Sequence, residues 1–133
     1  MEIGQTLELE YHVLKSDLAK ALSSHPEDDF PEVFATSRMI AIMELAAARL
    51  MKPLLGEGSL SVGVNVNVTH LAATLQDEMV KATAKFVGKS GKVFNFEVQV
   101  EDNGGVVGKG SHTRVIVSTE RLIEGAQKRN TKN

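Results

Sequence analysis

The chain contains no cysteine, no tryptophan, one tyrosine and three prolines in 133 residues. Without cysteine there is no disulfide framework, thiol nucleophile, iron–sulfur cluster or thiolate zinc site. Neither sign of charge dominates: 15 basic and 17 acidic residues leave a net charge of −2. That balance carries no electrostatic footprint for nucleic acid. No apolar run approaches the roughly 18 residues that a membrane span needs. The opening MEIGQTLELEYHVL lacks the basic-then-apolar order of a signal peptide. What is present is ordinary for a soluble globular protein, with 42% apolar and 24% charged residues. The expectation is a single cytoplasmic domain over residues 1–133, long enough to bury a core without staples. No internal repeat or low-complexity segment occurs.

Residues 6–14 alternate, with Leu7, Leu9, Tyr11 and Val13 on one side and Thr6, Glu8, Glu10 and His12 on the other. That period of two predicts a half-buried strand. Residues 15–31 contain a possible helical turn and then two prolines and three successive acids, Glu27 to Asp29, which predict a solvated loop. From Thr36 to Lys52 the pattern is helical. Thr36 or Ser37 offers an N-cap, and Pro53 stops the helix. Eleven of the thirteen residues from Met39 to Met51 are apolar, which predicts a buried helix. At about 100° per residue, Arg38, Arg49 and Lys52 form one wet stripe, and Glu44 lies about 120° away in the apolar sector.

Further alternation predicts strands over 59–70, 78–87, 92–101 and 106–117, with turns at Gly88–Gly91 and Asp102–Gly105. A short polar helix over about 119–129 closes the chain. In the first of these strands Leu60, Val62, Val64, Val66 and Val68 share a face, and strict parity adds His70 to it. This order predicts an α+β fold: an antiparallel sheet of about five strands wrapped around one long central helix, the last four strands forming a meander. One helix leaves sheet surface uncovered, so a dimer is expected.

Two ionisable groups break the apolar pattern. Glu44 interrupts the helix, and His70 ends the strand expected to pack on it. A buried carboxylate needs a partner or stays protonated. A carboxylate with an imidazole makes a general-base or nucleophile-activating pair, although a Glu in such a place equally serves structure. Thr36 and Ser37 sit at the helix start, where capping is the plain role and an attacking or water-orienting hydroxyl the chemical one. Gly63 marks either a bulge or a close approach to backbone. Arg114 shares a strand face with His112, and either pairs with an acid or binds phosphate. The four histidines show no metal spacing such as HExxH.

FPEVFAT at 30–36, MxxxMEL at 39–45, GEGSLSVGVNVNVTHLAAT at 56–74 and GxGSHTR at 108–114 together resemble the fluoroacetyl-CoA thioesterases and their hotdog-fold relatives. The resemblance runs from about residue 30 to 117. It implies a hotdog fold, an acyl-CoA substrate, no metal or redox cofactor, and a homodimer or higher homo-oligomer. CoA then enters only as part of the substrate. The resemblance also implies a catalytic group of Thr36, Glu44 and His70, with Phe30, Gly63 and Arg114 contacting substrate. One departure concerns the acyl group. Glu27 stands where the fluoroacetyl-specific enzyme carries a second phenylalanine, so part of an apolar lid is missing. A non-catalytic acyl-CoA-binding protein and an enoyl-CoA hydratase on the same fold are the alternatives.

Overall fold

Leu7, Leu9 and Tyr11 share the inward side of the first strand, β1 (Thr6–His12), and Val13 continues it just beyond; Leu9 and Val13 are buried. The computed structural model describes residues 1–131, and the last two positions of the expected domain lie outside the described residues. After two short 3-10 turns comes the central helix, α1 (Thr36–Met51), which Pro53 ends through a further 3-10 turn at Lys52–Leu54. Then follow β2 (Ser59–His70), β3 (Met79–Ser90), β4 (Val93–Asp102), β5 (Gly105–Ser118) and a terminal helix, α2 (Thr119–Asn130).

The five strands form one antiparallel sheet wrapped on α1, in the order β1-β3-β4-β5-β2. The expected four-strand meander is therefore corrected: only β3, β4 and β5 are consecutive neighbours. The segment of residues 71–78 has no tight-turn signal and is too long for a two-residue hairpin. It crosses the end of the sheet and puts β2 on the far edge, paired with β5. Thr74, fully buried, fixes the crossing midway by donating from Oγ1 to Asp102 Oδ2 in the β4–β5 turn (2.8 Å).

The inward faces of β3 and β4 follow strict alternation. Val80, Ala82, Ala84 and Phe86, then Phe94, Phe96, Val98 and Val100, are all buried against Met39, Met43, Ala46, Ala47 and Met51 of α1. Each large side chain so buried contributes roughly 1.5–3 kcal/mol.

Two expectations fail at the open side. First, α1 is not enclosed all round: Ala41, Leu45 and half-buried Ala48 extend the exposed stripe of Arg38 and Arg49 as far as Glu44. The sheet can wrap only so far round one helix, so an apolar flank stays uncovered. Second, the valine face of β2 is broken. Its register against β5 shifts between Gly63 and Asn65, leaving Val64 as the extra residue of a bulge. A bulge resets the alternation. Ser61 and Gly63 therefore face α1 on one side of it, and Val66, Val68 and His70 on the other. Leu60 and Val62 turn to the opposite face.

Candidate active site

Thr36 enters α1 as its first helical residue, not as its cap. The N-cap is Ala35, whose side chain has nothing to offer. Two strands of support hold this entry: Ala35 N–H donates to the Asp17 carbonyl (2.9 Å), and Phe34 N–H donates to the Thr74 carbonyl (2.8 Å). Asp17 is itself buried, accepting at Oδ2 from Tyr11 Oη (2.6 Å) and from Leu14 N–H (2.8 Å). The Tyr11 pKa is raised, first by this hydrogen bond to Asp17, then by the burial of Tyr11 itself and by the like charge of Asp17.

Freed from capping, the Thr36 hydroxyl hydrogen-bonds His70, with Oγ1 and Nδ1 2.8 Å apart. His70 stands at the end of β2 opposite Gly108, where any Cβ would collide with the Met39 thioether on α1. Its other ring nitrogen, Nε2, is buried and has no hydrogen-bond partner among the described residues. Beside the pair lies a shallow cleft of about 470 Å³, lined by Pro31, Val33, Phe34, Ala72 and Ala73 as well as Thr36 and His70. The first N–H groups of a helix have no intrahelical acceptor, so the cleft also meets free donors at the start of α1.

A second cluster forms further along the same helix. Eight residues place Glu44 about 12 Å from Thr36 along the axis. Glu44 Oε1 accepts from Arg114 Nη1 (3.2 Å) and lies 3.8 Å from His112 Nε2. Within the chain its partner is therefore Arg114, and the anticipated contact with His70 is absent. Arg114 is buried and inward, with Nε donating to Ser61 Oγ (3.0 Å) and Nη2 to the Ser61 carbonyl (3.0 Å). Nη1 serves both Glu44 and His112 Nε2 (3.1 Å). Four of the five guanidinium N–H groups are thus engaged within the chain, which leaves little of Arg114 for a phosphate. Burial lowers the Arg114 pKa, and the Glu44 carboxylate opposes that effect.

Gly63 is explained by the same cluster. A Cβ there would overlap Glu44 Oε1 and press on the His112 ring. The close approach to backbone is made by the chain's own carboxylate. Phe30 is 46% exposed in the acidic loop and is not among the residues lining the cleft; Phe34, buried, is. His112 was the residue least legible in the sequence. Its place two residues before Arg114 on an inward strand face was the available signal. Among the described residues, no three His, Asp or Glu side chains are arranged to hold a metal, and no helix is long and apolar enough to cross a membrane.

One antiparallel sheet curled on one long helix defines a hotdog-fold protein. A thioesterase superfamily member from Thermus thermophilus superposes with a TM-score of 0.85 at 25% identity, covering 96% of this chain and 94% of the other. The likeness narrows further. The family model described as fluoroacetyl-CoA-specific thioesterase matches residues 13–120, and the chain belongs to that family. The fluoroacetyl-CoA thioesterase of Streptantibioticus cattleyicolor is 38% identical over 94 residues, which cover 71% of this chain and 68% of that protein. A solved fluoroacetyl-CoA thioesterase structure gives a TM-score of 0.91 at 31% identity, covering 99% of this chain and 98% of the other.

Proposed function

We propose that the protein hydrolyses a small acyl-CoA thioester to the free acid and CoA, at a site shared by two copies of the chain. Family membership supports the reaction class. The observation that carries the site is the Thr36–His70 hydrogen bond beside an open cleft, with Nε2 buried and without a partner among the described residues. The cleft receives the acyl group, and free N–H groups at the start of α1 face the developing oxyanion. His70 moves the proton. It draws it either from Thr36, which then attacks the thioester carbon, or from a water that Thr36 orients. The carbon–sulfur bond breaks, the proton passes to the leaving thiolate, and water completes the acid. No metal or redox group takes part in this scheme.

Glu44 supplies the carboxylate. Within one chain it sits about 12 Å along α1 from Thr36 and bonds Arg114. We assign the Glu44 and His70 of each site to different protomers. The twelve-residue edge strand β2, with Leu60, Val64 and Val66 exposed, and the Ala41–Leu45 flank of α1 supply the apolar surface for a two-fold interface. Such a long apolar edge favours pairing, and an isologous pairing yields two identical shared sites. Soluble, cytoplasmic placement accords with this chemistry. Glu27 in the loop ahead of Phe30 favours acyl groups other than fluoroacetyl.

Thiol release from a panel of short acyl-CoAs, including fluoroacetyl-CoA, tests the reading. Wild type releases CoA, while E44Q and H70A lose about a hundredfold or more. Saturable binding without thiol release identifies a carrier. Loss of enoyl-thioester absorbance without free CoA identifies a hydratase.

A further inference from the structure

We propose that His112 is a positioning residue, a permanently neutral imidazole that holds Arg114 and, through it, the carboxylate of Glu44. The inference rests on the reading of Glu44 as the site's carboxylate. It begins with the two ring nitrogens. Nδ1 lies 2.8 Å from the Asn65 carbonyl, which can only accept, so Nδ1 carries the proton. Nε2 lies 3.1 Å from Arg114 Nη1, which can only donate, so Nε2 presents its lone pair. The neighbours leave one tautomer and no room for the doubly protonated ring.

Each element packed on the ring supplies one neighbour. From α1 it meets Glu44, 3.8 Å from Nε2, and from its own strand β5 it meets Arg114. From β2 it meets the Asn65 carbonyl, just past the bulge. From β4 it meets Phe96, with ring centres 6.4 Å apart. The ring is 1% exposed. Loss of solvent is the largest effect on its pKa and acts downward, as does the Arg114 charge; the Asn65 hydrogen bond and the Glu44 charge oppose them without reversing the direction. Acceptance at Nε2 steers one Nη1 hydrogen of Arg114 toward the ring, and the other then points at Glu44. Arg114 thus has one rotamer and Glu44 one resting place, the space kept open by Gly63. Asn65 ties the ring to the bulge, so the carboxylate is referenced to the edge strand expected to form the interface.

Two measurements test this. In wild-type protein labelled with 15N in histidine, long-range nitrogen–proton correlation spectra read the tautomer directly. The expected result for His112 is Nδ1–H, unchanged from pH 8 to 5.5. A ring that titrates in this range, or an Nε2–H tautomer, overturns the proposal whatever the variants do. Kinetics then separate positioning from bulk structure. H112F keeps the ring volume and removes both hydrogen bonds; kcat is expected to fall about tenfold or more with KM within about threefold. H112Q, which retains an acceptor for Arg114, is expected to recover most of kcat. E44Q is the control. An active E44Q overturns the reading of Glu44 and the positioning role with it. An inactive E44Q beside a fully active H112F overturns the positioning role alone.

Discussion

Glu44 occupies the space that a side chain at Gly63 would fill. One residue is on the central helix and the other on the edge strand, and the carboxylate reaches the strand backbone only because glycine has no Cβ. This fit gives the first prediction. In Gly63→Ala, the atom that must yield is the far end of a flexible Glu side chain, so the fold survives and the carboxylate moves. Thermal unfolding should shift little. Thiol release should fall about a hundredfold, the cost of an ångström-scale misplacement. An alanine variant with wild-type kcat would show that the position of Glu44 is immaterial.

Arg114 gives the second prediction. Arg114→Met removes four hydrogen bonds at once, leaving Ser61, His112 and Glu44 without their donor. Because Glu44 is more than a third exposed, water takes up part of its loss. The net destabilisation should be about 2 kcal/mol, measured by urea unfolding. Arg114→Lys should recover little of it, because an ammonium cannot span the same acceptors.

A third prediction concerns pH. The folded pKa of His112 lies below its usual 6.5, chiefly through burial. The unfolded chain therefore binds the proton more readily. This contribution to stability is full above pH 6.5 and is lost as pH falls from there toward the lowered folded value. Melting temperature should drop between pH 7.5 and 5.5 in wild type. His112→Gln, which has no such proton to bind, should lack this component of the slope. Identical slopes would contradict the account.

The single tyrosine provides a fourth. With no tryptophan in the chain, the ultraviolet titration of phenolate reports Tyr11 alone. Its midpoint should exceed 10, because phenolate formation breaks the hydrogen bond to Asp17 and sets two negative charges together. The associated stability is present below pH 10 and is lost as pH rises through the raised folded value. Asp17→Asn should bring the midpoint down and, by loosening the entry to α1, reduce thiol release as well.

The sequence revealed the elements more readily than their junctions. Alternation in β1, β3 and β4 is a local property, and the residues it turned inward are buried or partly buried against the core. The helix pattern singled out Glu44 but set it in the apolar sector, whereas it stands half-exposed beside the open flank of α1. Strand order was not legible, because pairing is non-local and nothing in residues 71–78 announces a crossing. The bulge at Val64 hid the inward turn of Ser61 and Gly63, since strict parity cannot register an inserted residue. For the same reason the Glu44–Arg114–His112 cluster was out of reach: it joins positions 44, 61, 112 and 114 across three elements. Thr36 shows the opposite case. Its capping role was the plain local expectation, and tertiary structure overrode it by bringing His70 within hydrogen-bonding distance.

The central claim is a thioesterase site built from two protomers, and complementation tests it most directly. E44Q and H70A are each prepared as inactive homodimers, then mixed, dissociated and reassociated, with thiol release measured before and after. If Glu44 and His70 of one site come from different protomers, each mixed dimer regains one intact site. Random mixing then restores about a quarter of wild-type activity. If both residues of a site come from the same protomer, every site in the mixed dimer carries a lesion. The mixture then stays as inactive as its components, which would contradict the account.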